Sequence, residues 1–161
     1  MLRAAVLTVS DRSSQGVRQD TSGPMLEDLL RGHGVEVVRK AVCPDEESAI
    51  TEILIAWADE GITDVILTTG GTGVAPRDVT PEATLAVITR TVPGMAEAMR
   101  QASLKKTPHA MLSRAVVGIR GRTLIVNLPG SPKGALENLE AVLPALEHAV
   151  AKIQGDPSEC A

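Results

Sequence analysis

The sequence has no phenylalanine and no tyrosine, and its one tryptophan is Trp57. A core must therefore be built from Val, Ile, Leu, Ala and Met. The aromatic platforms on which single-stranded nucleic acids stack are nearly excluded. Positive charge is also short. The formal net charge is −4, which argues against a phosphate backbone as the main partner. Cys43 and Cys160 are the only cysteines, too few for a disulfide framework. No CxxC, HExxH or Cys/His cluster occurs, and His33, His109 and His148 are scattered, so no structural zinc site is expected. No apolar run approaches a membrane span. The opening "MLRAAVLTVSD" has too short an apolar stretch for a signal peptide and no small-residue cleavage pattern, so the chain is expected in the cytoplasm.

What is present is an alternation of strand-like and helix-like segments within 161 residues, a length that favours one domain. Ala4 to Ser10 reads as a buried strand. In "SGPMLEDLLRGHG", Met25, Leu26, Leu29 and Leu30 share a helical face, and Gly32 and Gly34 end the helix. Val35 to Cys43 is a second strand, broken by Pro44 and Asp45. Asp45 is a candidate N-cap for a helix carrying Ile50, Ile53, Leu54 and Trp57 and stopping at Gly61. Asp64 to Thr69 is a third strand. Thr80-Pro81 then reads as an N-cap with a first-turn proline, opening a helix to about Thr89, and Pro93 opens another. Ala115 to Arg120 and Thr123 to Leu128 form a hairpin turning at Gly121-Arg122. Ser131-Pro132 caps a last helix that Pro144 is expected to kink or split. The pattern predicts a three-layer α/β/α fold: a mostly parallel sheet with one antiparallel strand from the late hairpin. It forms one domain over residues 1–154, with a mobile tail at 155–161.

Ligands of open α/β sheets bind beyond the carboxyl ends of the strands. Four stretches fall there: "SDRSSQG", "PDEES", "TGGTGVAPRDVTP" and "NLPGSPKG". The glycine stretch, with Thr69 closing the strand ahead of it, has two readings of equal weight. It is a turn needing positive φ, or a cradle in which backbone N–H groups approach an anion. It is not a dinucleotide-binding fingerprint, because Pro76 stands where the third glycine belongs, nor a P-loop, because no Gly-Lys-Ser/Thr follows. Asp78 beside it is either a helix-end acid or, if phosphates bind, a ligand for Mg²⁺. This ion commonly joins one or two carboxylates to substrate phosphates, and Asp45 is the second candidate. Ser10, Asp11, Gly130 and Ser131 read either as turns and caps or as ligand contacts. Arg12 and Arg77 read as anion holders or as solvated side chains.

Taken together, "VSDR", "PDEESAI", "TGGTGVAPRDVTPEAT", "VPGMAEAMR" and "NLPGSPKG" resemble the molybdopterin adenylyltransferase (MogA/MoaB-like) family, whose domain also occurs in gephyrin and in plant molybdenum-insertion proteins. The resemblance runs from Val6 to Lys152. It implies a homotrimer that transfers an adenylyl group from ATP to molybdopterin with Mg²⁺, releasing pyrophosphate, with hand-over to a molybdenum-insertion protein. By position it implies catalytic and Mg²⁺-holding roles for Asp45 and Asp78. It implies ligand contacts at Ser10, Asp11, Thr69, Gly70, Gly71, Thr72, Gly73, Met95, Gly130, Ser131 and Pro132. Two other readings stay open at this point: a pterin-binding protein without adenylylation activity, and an oligomeric scaffold of the same fold.

Overall fold

In the computed structural model, which describes residues 1–160, one sheet organises the chain. Its strands are β1 (Arg3–Val9), β2 (Glu36–Cys43), β3 (Val65–Thr69), β4 (Arg90–Thr91), β5 (Val117–Arg120) and β6 (Thr123–Leu128), in the order β2-β1-β3-β6-β5-β4. β2, β1, β3 and β6 are parallel, and β5 runs antiparallel to both β6 and β4.

The strands have apolar residues on both faces, as a sheet covered on both sides requires. Ala4, Val6, Val65, Leu67, Leu124 and Val126 face one core, with Leu26, Leu30, Met99, Leu139 and Leu146. These last residues come from α2 (Ser22–Gly32), α5 (Pro93–Leu104) and α6 (Pro132–Ile153). Ala5, Leu7, Val9, Ile66 and Ile125 face the other core. There they meet Ile50, Leu54, Ala83 and Val87 of α3 (Glu47–Asp59) and α4 (Thr80–Val87). The period-2 alternation along β1 thus divides one strand between two cores. The three-layer prediction holds, including the reversed strand from the hairpin, whose turn places Gly121 at φ 57°.

Several boundaries differ from the reading of the sequence. α4 ends at Val87, and Arg90–Thr91 instead add an edge strand, both residues exposed. A one-turn helix, α1 (Asp11–Ser14), follows β1, and a 3₁₀ turn occupies Pro108–Leu112. Thr80 is the first residue of α4 rather than its cap, because its hydroxyl donates to the Gly70 carbonyl at 2.9 Å. Pro144 does not split α6, which runs unbroken for 22 residues. Pro144 is exposed, and so is Glu140, the residue whose carbonyl loses its donor, so water can take that bond. Of the expected tail, residue 161 lies outside the described residues. The rest turns back on α6, with Lys152 Nζ 3.2 Å from the Asp156 carbonyl and Cys160 Sγ 3.1 Å from His148 Nε2.

Candidate active site

The four loops that follow β1, β2, β3 and β6 meet at one edge of the sheet and are tied to one another. Ser10 caps α1, its hydroxyl accepting the Ser13 N–H at 3.1 Å. The next residue, Asp11, exchanges bonds with Asp45. The Asp11 N–H donates to Asp45 Oδ2 at 2.9 Å, and the Asp45 N–H donates to Asp11 Oδ1 at 2.9 Å. Asp45 is therefore not the cap of α3. The cap position belongs to Glu46, and the Asp45 carboxylate is turned to the neighbouring loop instead. Arg77, from the glycine loop (Gly70–Asp78), closes a fork on Asp11, with Nε at 3.0 Å and Nη2 at 2.9 Å.

The glycine loop abuts the loop after β6. Thr69 Oγ1 donates to the Pro129 carbonyl at 2.7 Å, and the Gly70 N–H donates to the Leu128 carbonyl at 3.1 Å. Ser22 Oγ donates to the Gly130 carbonyl at 2.8 Å, which draws the start of α2 to the same place. Below, the buried Asn127 side chain donates to Thr68 and Thr84 and accepts the Val116 N–H, pinning β3, α4 and the approach to β5 together. Two glycines are obligatory. Gly70 sits at φ 105°, and a Cβ there would strike the Val9 carbonyl. Gly71 sits at φ 69°, and a Cβ there would strike the Thr80 hydroxyl and come within 3.1 Å of Asp45 Oδ1. Both readings of the loop are thus compatible with its shape: it contains strained turns, and it leaves space beside them.

That space is two adjoining cavities. The larger, about 550 Å³, is lined by Thr72, Gly73, Arg100, Lys106, His109 and Asn138 among others. The smaller, about 360 Å³, is lined by Ser10, Arg18, Asp20, Asp45, Thr69 and Gly70 among others. Gly71, Asp78, Gly130 and Ser131 belong to both and form the shared wall. Asp78 holds its place by accepting the Ala75 N–H at 3.0 Å.

The electrostatics of the smaller cavity are unbalanced. Arg77 holds the Asp11 carboxyl below the usual carboxylate range, assisted by the Asp45 N–H. Burial pushes the Asp45 carboxyl up, the Asp11 N–H opposes this, and the charges of Asp11 and Asp78 push it further up. Burial, with the Asp45 charge, also lifts the Cys43 thiol to about 11, so Cys43 is an inert core residue. Asp45 and Asp78 thus put negative charge beside a wall of glycine and serine, and among the described residues neither carboxylate is in a salt bridge. That donor set fits a hard cation. Among the described residues no group of three metal-ligating side chains occurs. A cation here would complete its shell with water and ligand oxygens, which is the habit of Mg²⁺.

Residues 5–148 match a protein family described as "Probable molybdopterin binding domain". The chain belongs to this molybdopterin-binding family. Among relatives of the domain, the molybdopterin adenylyltransferase of Helicobacter pylori J99 is 44% identical over 157 residues, covering 96% of this chain and 89% of that protein. The one from Escherichia coli K12 is 48% identical over 143 residues, covering 88% of this chain and 73% of that one. Gephyrin of Dictyostelium discoideum is 44% identical over 94% of this chain, which spans only 22% of gephyrin's length. The molybdopterin biosynthesis enzyme MoaB of Thermus thermophilus has a crystal structure that superposes with TM-score 0.91 at 54% identity, covering 99% of this chain and 100% of that one.

Most residues singled out from the sequence of this molybdopterin-binding domain come together at the two cavities: Ser10, Asp45, Thr69, Gly70, Gly71, Thr72, Gly73, Asp78, Gly130 and Ser131. Three do not line either one. Asp11 is bound to Arg77 and Asp45 beside the smaller cavity. Pro132 is the first residue of α6. Met95 is 9% exposed and packs into the core from α5. The sequence reading missed Arg18 and Asp20 in one cavity and Arg100, Lys106, His109 and Asn138 in the other. None lies in a glycine-rich or carboxylate motif. The only signal is their place at the two cavities, which requires the fold.

Proposed function

We propose that this protein transfers the adenylyl group of ATP to molybdopterin, giving adenylyl-molybdopterin and pyrophosphate. The observation that carries the reading is the pair of cavities with a common wall of Gly71, Asp78, Gly130 and Ser131. A two-substrate transfer needs two compartments that meet at the reacting atoms. The names of the relatives supply the substrates.

The nucleophile in this reaction is the terminal phosphate of molybdopterin, ionised at neutral pH. It attacks the α-phosphorus of ATP, an O–P bond forms, and the bond to the pyrophosphate oxygen breaks. No side-chain base is required, so the work falls to alignment and charge stabilisation. The glycine wall offers fixed N–H donors at the meeting point of the two cavities, and Asp78 stands between them. Asp45 and Asp78 would hold Mg²⁺, which when bound neutralises phosphate charge. Arg100 and Lys133 give the larger cavity positive charge suited to an anionic ligand, while Lys106 is paired with Glu137 on the same wall at 3.1 Å. In the same reading the protein works in the cytoplasm as a homotrimer and passes its product to a molybdenum-insertion protein.

The deciding experiment supplies Mg-ATP and freshly released molybdopterin and follows pyrophosphate release and adenylylated pterin by chromatography. Pterin-dependent pyrophosphate supports the reading. Tight pterin binding with no pyrophosphate overturns it in favour of a pterin carrier.

A further inference from the structure

We propose that Arg114 is the positioning residue of the glycine loop, acting from outside both cavities to turn the loop's N–H groups toward the ligand. This deepens the adenylyl-transfer reading and rests on it. Arg114 lies in the segment between the 3₁₀ turn and β5, and about 40 residues separate it from the loop it holds. All of its side-chain nitrogens are engaged. Nε donates to the Gly73 carbonyl at 2.7 Å, Nη2 donates to the Asp78 carbonyl at 2.7 Å, and Nη1 donates to both Glu82 oxygens at 2.7 and 3.0 Å. Its backbone N–H adds a bond to the Thr72 carbonyl at 2.8 Å. One residue therefore grips three carbonyls of one loop.

The consequence follows from the planar trans peptide, in which C=O and N–H point in opposite directions. Fixing the carbonyls of Thr72, Gly73 and Asp78 toward Arg114 turns the N–H groups of Gly73, Val74 and Val79 away from it. Thr72 and Gly73 line the larger cavity and Arg114 lines neither, so the free donors of the Thr72–Gly73 and Gly73–Val74 peptides are presented on the ligand side. Among the described residues, the N–H groups of Gly71, Thr72, Gly73 and Val74 donate to no other part of the protein. Glu82, paired with Arg114, cancels the guanidinium charge locally. The contribution is therefore geometric. The fork matters more than the charge, and lysine cannot replace it.

The test uses the whole chain with Arg114→Ala, Arg114→Lys and Glu82→Gln. Amide spectra of ¹⁵N-labelled protein are recorded while pyrophosphate and, separately, Mg-ATP are added. In the unsubstituted protein the Gly73 and Val74 amide protons move downfield on anion binding. In Arg114→Ala and Arg114→Lys the Val74 shift is lost, the dissociation constant rises roughly 10- to 100-fold, and kcat falls as well as KM rising, while the Gly73 amide, whose peptide is held by the retained Arg114 backbone N–H, still responds. Added methylguanidinium restores part of the shift in Arg114→Ala. Glu82→Gln, which leaves all three carbonyl bonds in place, changes affinity by less than about threefold. Spectra of the remaining amides, unchanged from the parent, show that a variant is folded; Arg114→Lys serves if Arg114→Ala is not. Anion affinity within twofold of the parent in both Arg114 variants overturns the role of Arg114 and leaves adenylyl transfer standing. No amide shift in the unsubstituted protein with either anion overturns the cradle itself, and the transfer reading with it.

Discussion

Two aspartates at opposite edges of the same sheet behave in opposite ways. Asp64, just before β3 at the amino edge, is saturated. It accepts the Arg3 N–H at 2.9 Å, Arg3 Nε at 3.1 Å, Arg3 Nη2 at 2.8 Å and Gln154 Nε2 at 2.9 Å. Burial pulls its pKa up, but the bonds from Arg3 and Gln154 outweigh it and hold the carboxyl below the usual range. Asp45, just after β2 at the carboxyl edge, has one backbone donor and two carboxylates for neighbours, and burial pushes it up. The first is finished within the chain and locks β1, β3 and the end of α6 together. The second has one backbone donor and lies near two other carboxylates, a setting that suits a ligand. The difference teaches that a site is recognisable by unfinished electrostatics more than by the residue types it contains.

The comparison can be broken from its active side first. Asp45→Asn is expected to lower turnover by roughly 100- to 1,000-fold, read by pyrophosphate release. Its melting temperature, measured in EDTA, should equal or exceed that of the parent. The sign is set by the raised pKa. A carboxyl lifted in the folded state contributes stability below its unfolded pKa and loses it as pH rises through the folded value. At neutral pH the charged form is a cost that asparagine removes. A lower melting temperature for Asp45→Asn would put the two aspartates in one class.

Asp64→Ala should do the reverse. It strands the Arg3 N–H and guanidinium, so stability falls by about 1–3 kcal/mol, visible as a lower midpoint in urea. Turnover at 25 °C should stay within about twofold, since Asp64 touches no cavity residue. The pH dependence sharpens this. Because the Asp64 pKa is lowered, its contribution is fully present above the unfolded value near pH 4 and is lost as pH falls through the lower folded value. Urea midpoints measured from pH 6 down to 3 should therefore drop less steeply in Asp64→Asn than in the parent. The smallest effect belongs to Asp59, which Arg120 holds at 2.9 Å on the exposed surface. Its carboxyl is also held below the usual range by that hydrogen bond. Asp59→Asn should shift the melting temperature by only about 1 °C, because solvent screens the pair. A shift as large as that of Asp64→Ala would show that burial is not what separates them.

How much was legible in the sequence depends on the range of the interaction involved. The apolar run that opens at Ala4 and the glycines at 70 and 71 are local signals, and both led to the observed strand and loop. The last helix, opened by Ser131-Pro132, survived the proline within it because position 144 is exposed to water. Arg90–Thr91 gave no signal, since two exposed edge residues carry no apolar period. The roles of Thr80 and Asp45 were misread as helix caps for one reason. Capping is a local rule, and in each case a neighbouring loop offered the side chain a better partner. Asp20, Arg18 and Arg114 were invisible because what they do depends on chain segments folded against them from elsewhere.

The reversal of β5 has a consequence for how such a site can change. In a wholly parallel sheet only the segments that follow strands reach the carboxyl edge. Because β5 runs backward, the segment that precedes it also arrives there, bringing His109, Ala110, Leu112 and Ser113 to the larger cavity. The wall of that cavity is thus supplied partly by a stretch that belongs to no parallel strand and carries none of the glycine wall. Insertions or exchanges between Thr107 and Ser113 can remodel the shape of the ligand chamber while the shared wall keeps its register. The fold separates the tailoring of what is held from the machinery that acts on it.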